Sequence, residues 1–378
     1  AFMAPTEVLA DQHFKSIQNQ ALKLKLNVAV LTGSTKEKER KIMLSQLKKG
    51  EIDILIGTHA LIEKRVEFRR LGLVIIDEQH KFGVAQRAKL WSKKREFYPH
   101  VLVMTATPIP RTLALTLYGD LDVSVIDELP SGRKEIITSH RFDNSRLKVF
   151  NFIKKTIDFG GQVYVVYPLI EESAKKDHKD LMDGYKSLTK YFPETQIGVL
   201  HGRMKSENKE YEMKRFAEGK SKILVSTTVI EVGVDVANAS VIIIESAERF
   251  GLSQLHQLRG RVGRGSAQSY CILMTKYDLS NDSKERIKAM VGSSDGFKIA
   301  NVDLKMRGPG NMMGTKQSGL LELRFVNLAE DYNIIKQTRV EASKLIENDP
   351  NLSDKKNKGT KEYLKKSIKS NINWSRVS

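Results

Sequence analysis

The chain has 378 residues and carries 63 Lys and Arg against 45 Asp and Glu, a formal charge of +18. That length leaves room for two or three domains, and the charge suits a polyanionic partner without identifying one. Its one cysteine, Cys271, excludes a disulfide framework and a Cys-based metal site. No apolar run approaches the roughly twenty residues of a membrane span, and no secretory signal is present, so a cytoplasmic setting is the default expectation.

Apolar runs near Phe2–Ala4, Val28–Leu31, Ile52–Ile56, Leu73–Ile76 and Val101–Met104 alternate with helical patterns. This βα alternation predicts a parallel sheet covered on both faces. Asp77-Glu78-Gln79-His80 closes the fourth run, and ligands collect at the carboxyl ends of such strands. An Asp there suits Mg²⁺ held through water, and the adjacent Glu suits orienting a water against a γ-phosphate. The dipeptide alone reads equally as a solvated turn; its company decides. Thr105-Ala106-Thr107 places small hydroxyl residues at the next strand end. Pro130-Ser131-Gly132-Arg133 has the turn chemistry of a linker and closes a first unit, residues 1–133.

A second α/β unit, 134–276, is predicted with strands near Val163–Val166, Ile197–Leu200, Ile223–Val225, Val241–Ile244 and Tyr270–Met274. Polar residues again follow the runs: His201-Gly202-Arg203, then Thr227, leading to Gly233 and Asp235. Gly219-Lys220-Ser221 fails as a phosphate loop, because Lys214 stands where the pattern needs its first glycine. Gly219 reads as a helix C-cap. In Gln257-Leu-Arg-Gly-Arg261-Val-Gly-Arg264, three arginines fall within six residues, separated by two glycines. A helix here would put Gln257, Arg261 and Arg264 on one cationic face, suited to a phosphoryl group gaining charge. Beyond residue 276, helices are expected near Ser283–Val291 and Gly296–Met306. A Gly-rich segment, Arg307 to Gly319, follows, and a Lys-rich stretch from Asp354 onward reads as a frayed tail.

These segments together resemble superfamily 2 helicases. Pro5-Thr6-Glu7 resembles motif Ia, Gly57-Thr58-His59 motif Ib, and Asp77 to His80 motif II. Thr105 to Thr107 resembles motif III, Thr227 to Asp235 motif V, and Gln257 to Arg264 motif VI. The run Asp77 to Val84, Thr105 to Arg111, and Asp303 to Gly319 narrow the likeness to the RecG type, bacterial fork-remodelling translocases. The Mfd type, which couples transcription to repair, shares the Arg307 to Gly319 pattern. Lys81 and Asn311 depart from the family, which has Arg and an acidic residue at those places.

The resemblance implies a fold class of two α/β RecA-like lobes with parallel sheets, then a helical region (277–378) bearing a translocation loop. It implies ATP and Mg²⁺ as cofactors, and branched duplex DNA, forks and Holliday-type junctions as the partner of a monomer. Asp77, Glu78, Gln257, Arg261 and Arg264 would be catalytic, with Asp77 toward the metal. Gln79, His80, Thr105, Thr107, Gly233 and Asp235 would couple the nucleotide to the lobes. Pro5, Thr6, Glu7, Thr58, His59, His201, Gly202, Arg203 and Thr227 would face DNA, and Arg307 and Gln317 would transmit movement. The family's phosphate loop precedes a segment like Ala1 to Pro5, so the chain reads as lacking that loop and the amino-terminal wedge domain. A non-hydrolytic nucleic-acid-binding module remains the alternative from another class.

Overall fold

A computed structural model describes residues 1–79, 82, 99–110, 121–128, 130, 132–168, 174–228, 236–307 and 331–370. Its first sheet has the order β2-β3-β1-β4-β5, all neighbours parallel. The strands are β1 (Phe2–Met3), β2 (Val28–Leu31), β3 (Ile54–Gly57), β4 (Leu73–Ile76) and β5 (His100–Val103). Helices α1 (Glu7–Lys23) and α2 (Glu37–Lys49) connect the first three. The sheet is buried on both faces. Met3, Leu31, Leu55 and Val74 pack in one cluster, and Phe2, Ala4 and Ile56 in another.

The second sheet has the order β6-β11-β10-β7-β9-β8, again all parallel. It comprises β6 (Ile137–Phe142), β7 (Gln162–Val166), β8 (Ile197–Leu200), β9 (Ile223–Ser226), β10 (Ala239–Ile244) and β11 (Tyr270–Thr275). Between them run α3 (Arg146–Asp158), α4 (Ala174–Tyr191), α5 (Ser206–Ala217) and α6 (Leu252–Arg259). The period-two rule appears directly in β7. Tyr164 and Val166 enter the cluster on one face, while Val163 and Val165 enter the cluster on the other. A strand buried on both faces is apolar except where a polar side chain finds its own partners, as Gln162 does with Phe216 O and Ser221 O, which is why these runs are nearly continuous. Cys271 is fully buried in β11, and burial pushes its thiol up to about 12.

Two expectations need correction. Strand β6 has no counterpart in the predicted elements: Ile-Thr-Ser-His-Arg-Phe is a half-exposed edge sequence, mixed in polarity, recruited by pairing with β11. The Lys-rich tail is helical over α10 (Lys358–Ser370). The turn ahead of it is pinned by Asp349, whose carboxylate accepts from Ser353 N, Asp354 N and Asn357 Nδ2. Gly219 behaves as anticipated, with φ +72 just past α5. Among the described residues, no helix is long and apolar enough to cross a membrane.

Helices α7 (Asn281–Gly292) and α8 (Gly296–Arg307) form a hairpin against the second sheet, followed by α9 (Tyr332–Asn348). Arg259, at the end of α6, holds the hairpin turn. It is 3% exposed and donates to Met290 O, Ser293 O and Ser294 O at 3.1, 2.8 and 3.0 Å. Its Nη2 lies 3.1 Å from His256 Nδ1. Burial, and then the Arg259 charge, hold His256 down at about 4 against an ordinary 6.5. The ring is therefore neutral and accepts at Nδ1.

This burial has a pH signature. The unfolded chain binds the His256 proton near 6.5 while the folded chain refuses it until about 4. Stability from this residue is complete above pH 6.5 and is lost as pH falls toward 4, by roughly 2–3 kcal/mol. Urea unfolding of the chain at pH 7 and pH 5 should show a drop that His256→Gln reduces. An equal drop in the variant would assign the acid sensitivity elsewhere.

Candidate active site

The ladder between β1 and β4 extends one step past β4, where Asp77 N donates to Met3 O at 2.9 Å. This fixes the backbone under the acid pair. Asp77 Oδ2 lies 2.9 Å from His13 Nε2 of α1, and Oδ1 accepts from Glu78 N at 2.9 Å. The His13 ring is itself packed on Phe2, with centroids 4.3 Å apart. Glu78 has φ +48, a left-handed conformation that a non-glycine residue adopts at a cost. The turn swings its carboxylate over to the next strand end, where Oε2 accepts from Ala106 N at 3.1 Å. Gln79 is buried, and its N donates to Met104 O at 3.1 Å. The ends of β4 and β5 are thus stitched together by two bonds. His80 lies outside the described residues.

The segment after β5 folds on its own hydroxyls. Thr107 N donates to Thr105 Oγ1 at 3.1 Å, and Thr105 Oγ1 donates to Thr107 O at 3.3 Å. Thr107 Oγ1 then accepts from Gln257 Nε2 of α6. One side chain of the first sheet's loop therefore meets one side chain of the second sheet's helix. Beside this contact, Gly296 approaches so closely that a Cβ there would lie 2.4 Å from Pro108 Cγ and 2.8 Å from His256 Cε1.

The arginines do not share a helical face. Helix α6 ends at Arg259, Gly260 caps it, and Gly263 takes φ +76. Two glycines in four residues make continuation costly, so Arg261 and Arg264 lie on a loop and Gln257 on the helix. Arg264 Nε donates to Gly260 O at 3.2 Å. Burial, followed by the neighbouring Arg133 charge, lowers the Arg264 pKa, with Tyr164 opposing. The guanidinium stays cationic at neutral pH. Burial pushes Tyr164 up to about 12 against the pull of Arg261 and Arg264, so both guanidiniums lie near that β7 ring. Arg259 escaped prediction as a buried clamp. Its only sequence signal is its place on the apolar Leu252-Leu255-Leu258 side of α6.

The residues expected to face DNA follow strands β1, β3, β8 and β9. Thr6 caps α1, accepting from Leu9 N at 3.3 Å, and Pro5 beside it is half-buried. Glu7 accepts from Ser34 N and Ser34 Oγ at 3.0 and 2.9 Å. Thr58 and Thr227 are each 2% exposed, and no hydrogen-bond partner is present for either hydroxyl among the described residues. They are built alike: Thr58 N donates to the last carbonyl of β2, Leu31 O, and Thr227 N to the last carbonyl of β8, Leu200 O. His59, Gly202 and Arg203 are exposed, and His201 is half-buried. Gly233, Asp235 and Gln317 lie outside the described residues; Arg307 ends α8, with its side chain outside them. Among the described residues no three His, Cys, Asp or Glu side chains cluster as metal ligands.

Three family models match in succession: DEAD/DEAH box helicase over residues 1–116, helicase conserved C-terminal domain over 147–266, and ATP-dependent DNA helicase RecG, domain 3, C-terminal over 293–378. The chain is 55% identical over 353 residues to the ATP-dependent DNA helicase RecG of Synechocystis sp., covering 93% of this chain and 42% of the relative. It is 49% identical over 350 residues to the protein of that name from Bacillus subtilis, covering 92% and 51%. The chain thus spans about half the length of the curated relatives it matches. A solved structure of RecG bound to a three-way DNA junction aligns with a TM-score of 0.68 at 47% identity, over 82% of this chain and 40% of that one. The Dbp5 protein of S. cerevisiae, bound to RNA and ADP BeF3, aligns at 0.56 with 16% identity and supports the RecA-like fold alone. With both parallel sheets and the helical region accounted for by these matches, the chain belongs to the RecG type of superfamily 2 helicases.

Proposed function

We propose that the whole protein is an ATP-driven double-stranded DNA translocase that remodels stalled forks and recombination junctions, and that these residues form its motor. The observation that carries the reading is the contact of Thr107 with Gln257. It sets the loop that holds the Glu78 carboxylate against the helix leading into the arginine loop. A binding module has no use for that conjunction, whereas phosphoryl transfer needs an oriented water on one side and cations on the other. The names of the relatives and the junction-bound structure support the same assignment.

In this reading Glu78 orients the attacking water, while Gln257, Arg261 and Arg264 meet charge developing on the γ-phosphate. Asp77 fits a one-carboxylate, water-mediated Mg²⁺ contact: it is partly exposed, and each oxygen has accepting capacity beyond its single bond. When bound, Mg²⁺ supplies charge neutralisation at the phosphates. Gln79, His80, Thr105, Thr107, Gly233 and Asp235 couple nucleotide state to the lobes. Pro5, Thr6, Glu7, His59, His201, Gly202 and Arg203 form the strand-end surface toward DNA, and Thr58 and Thr227, buried beneath it, hold the strand ends in place. Arg307 and Gln317 carry movement to the duplex. A cytoplasmic monomer is the setting this implies.

Turnover is to be measured on the whole protein, because these 378 residues include no Gly-rich phosphate loop. Arg261→Ala or Arg264→Ala should lower duplex-stimulated turnover on the order of 10³–10⁵ with ATP affinity retained. Glu78→Gln should bind ATP and stall. Duplex that fails to stimulate the wild type would remove the motor reading, and a parallel loss of affinity would make the arginines ground-state ligands.

DNA affinity should fall steeply between 50 and 200 mM salt, roughly 10³-fold or more. Arg203→Ala should reduce the slope of log affinity against log salt by about 1. A flat response, or preference for one base sequence, would argue against a tracking motor. Arg307→Ala or Gln317→Ala should leave hydrolysis near normal while impairing strand displacement on a synthetic fork. Equal loss of both would place that segment in the ATPase site or the fold.

A further inference from the structure

A loop with glycines at both 260 and 263 cannot hold two guanidiniums in place by its own backbone preferences. Its position must come from outside contacts, and the structure supplies them from the segment that enters the second sheet. Arg133 Nε donates to Gly263 O at 2.6 Å. Ile136 packs so closely on Gly263 that a Cβ there would lie 2.9 Å from Ile136 Cγ1. Gln268 Nε2, just past the loop, donates to Glu135 O at 2.7 Å, and Ile137 N donates to Ser269 O at 3.0 Å.

The same segment reaches a second element through Glu135. Glu135 accepts from Ser294 Oγ in the turn between α7 and α8. That turn is already held by Arg259, which donates to Ser293 O and Ser294 O. So the arginine loop and the hairpin turn converge on residues 133–136, and the end of α6 holds the same turn through Arg259.

Chain order gives this convergence its meaning. Residues 133–136 are the last before β6, and the chain reaches them from the first sheet through Pro130 and Gly132. Rotation of one sheet against the other must act through this stretch of backbone. Its first anchored side chain is Arg133, and its anchor is the carbonyl between Val262 and Arg264. A lobe movement therefore pulls on the arginine loop and on the hairpin turn through one short segment.

We propose that Arg133 and Glu135 are positioning residues: Arg133 sets the arginine loop for hydrolysis, and Glu135 ties that loop to the α7–α8 turn. This rests on the motor reading given above. Among the described residues Arg133 makes no contact with Asp77 or Glu78, so its effect should fall on turnover and not on nucleotide capture.

The test uses the whole protein in two arms. In hydrogen exchange, Arg133→Ala should speed exchange of amides 261–265, and Glu135→Ala those of 293–296, with β7 and β10 unchanged. In steady-state kinetics, Arg133→Ala should lower duplex-stimulated kcat about 10- to 100-fold with KM for ATP within about twofold. Arg133→Lys, which retains a donor for Gly263 O, should recover most of that loss. Unchanged exchange in both segments overturns the proposal, as does wild-type kcat in Arg133→Ala or failure of lysine to restore a lost kcat. A wild type with no duplex-stimulated turnover sinks the motor reading instead, and the exchange arm still decides whether the segment holds the loop and the turn.

Discussion

Among the described residues, a neutral hydrogen bond, Thr107 Oγ1 accepting from Gln257 Nε2, joins the loop that holds the Glu78 carboxylate to the helix that leads into the arginine loop. Such a bond contributes on the order of 1 kcal/mol net. By itself that is too little to lock two sheets together. A joint of this strength can be made and broken by a ligand with a modest preference for one arrangement. Packing guides the joint without fixing it. Gly296 lets Pro108 and His256 meet closely, and Arg339 of α9 donates to Leu121 O at 3.1 Å. The neutral His256 suits this place, because a charge there would face Arg259 with little water to shield it.

Strain at Glu78 belongs to the same design. A left-handed non-glycine residue costs of order 1–3 kcal/mol, and the bond from Ala106 N to the Glu78 carboxylate, being charge-assisted, returns roughly 1.5–3. The two terms nearly cancel. The acid is consequently preset toward the β5 loop without much net stability invested in it. Changes at Thr105 to Thr107 reach Glu78 through one amide, and Gln257 through one hydroxyl. Both contacts are made by three consecutive residues.

Much of this was legible in the residues. Continuous runs such as Leu73-Val-Ile-Ile76 and Ile223-Leu-Val225, short and flanked by turn residues, read as strands, and they lie where the pattern placed them. Strand β6 was not legible, because an edge strand answers to its neighbour's backbone more than to its own polarity. Arg261 and Arg264 were legible by type and spacing but misread as a helical face. The local cost of Gly260 and Gly263 outweighs the 3.6-residue period. Contacts between residues 133–136 and 263–294 were invisible for a different reason: they join segments more than a hundred residues apart, and no local pattern encodes them.

The matched construction of Thr58 and Thr227 bears on how a strand-end surface can track a duplex. Each threonine closes the edge of its sheet through a backbone bond to the neighbouring edge strand, and each hydroxyl is inside. Buried hydroxyls do not reach phosphates at the surface. The exposed atoms at these strand ends belong to neighbours: His59 in the first sheet, Gly202 and Arg203 in the second. Contacts made by exposed backbone and a flexible arginine position a protein on phosphates without reading bases. Two such sites, one per sheet, change their spacing when the sheets rotate. Gly57 packs under Leu31 O and Thr58 N donates to it, so that turn is fixed to the edge of the first sheet.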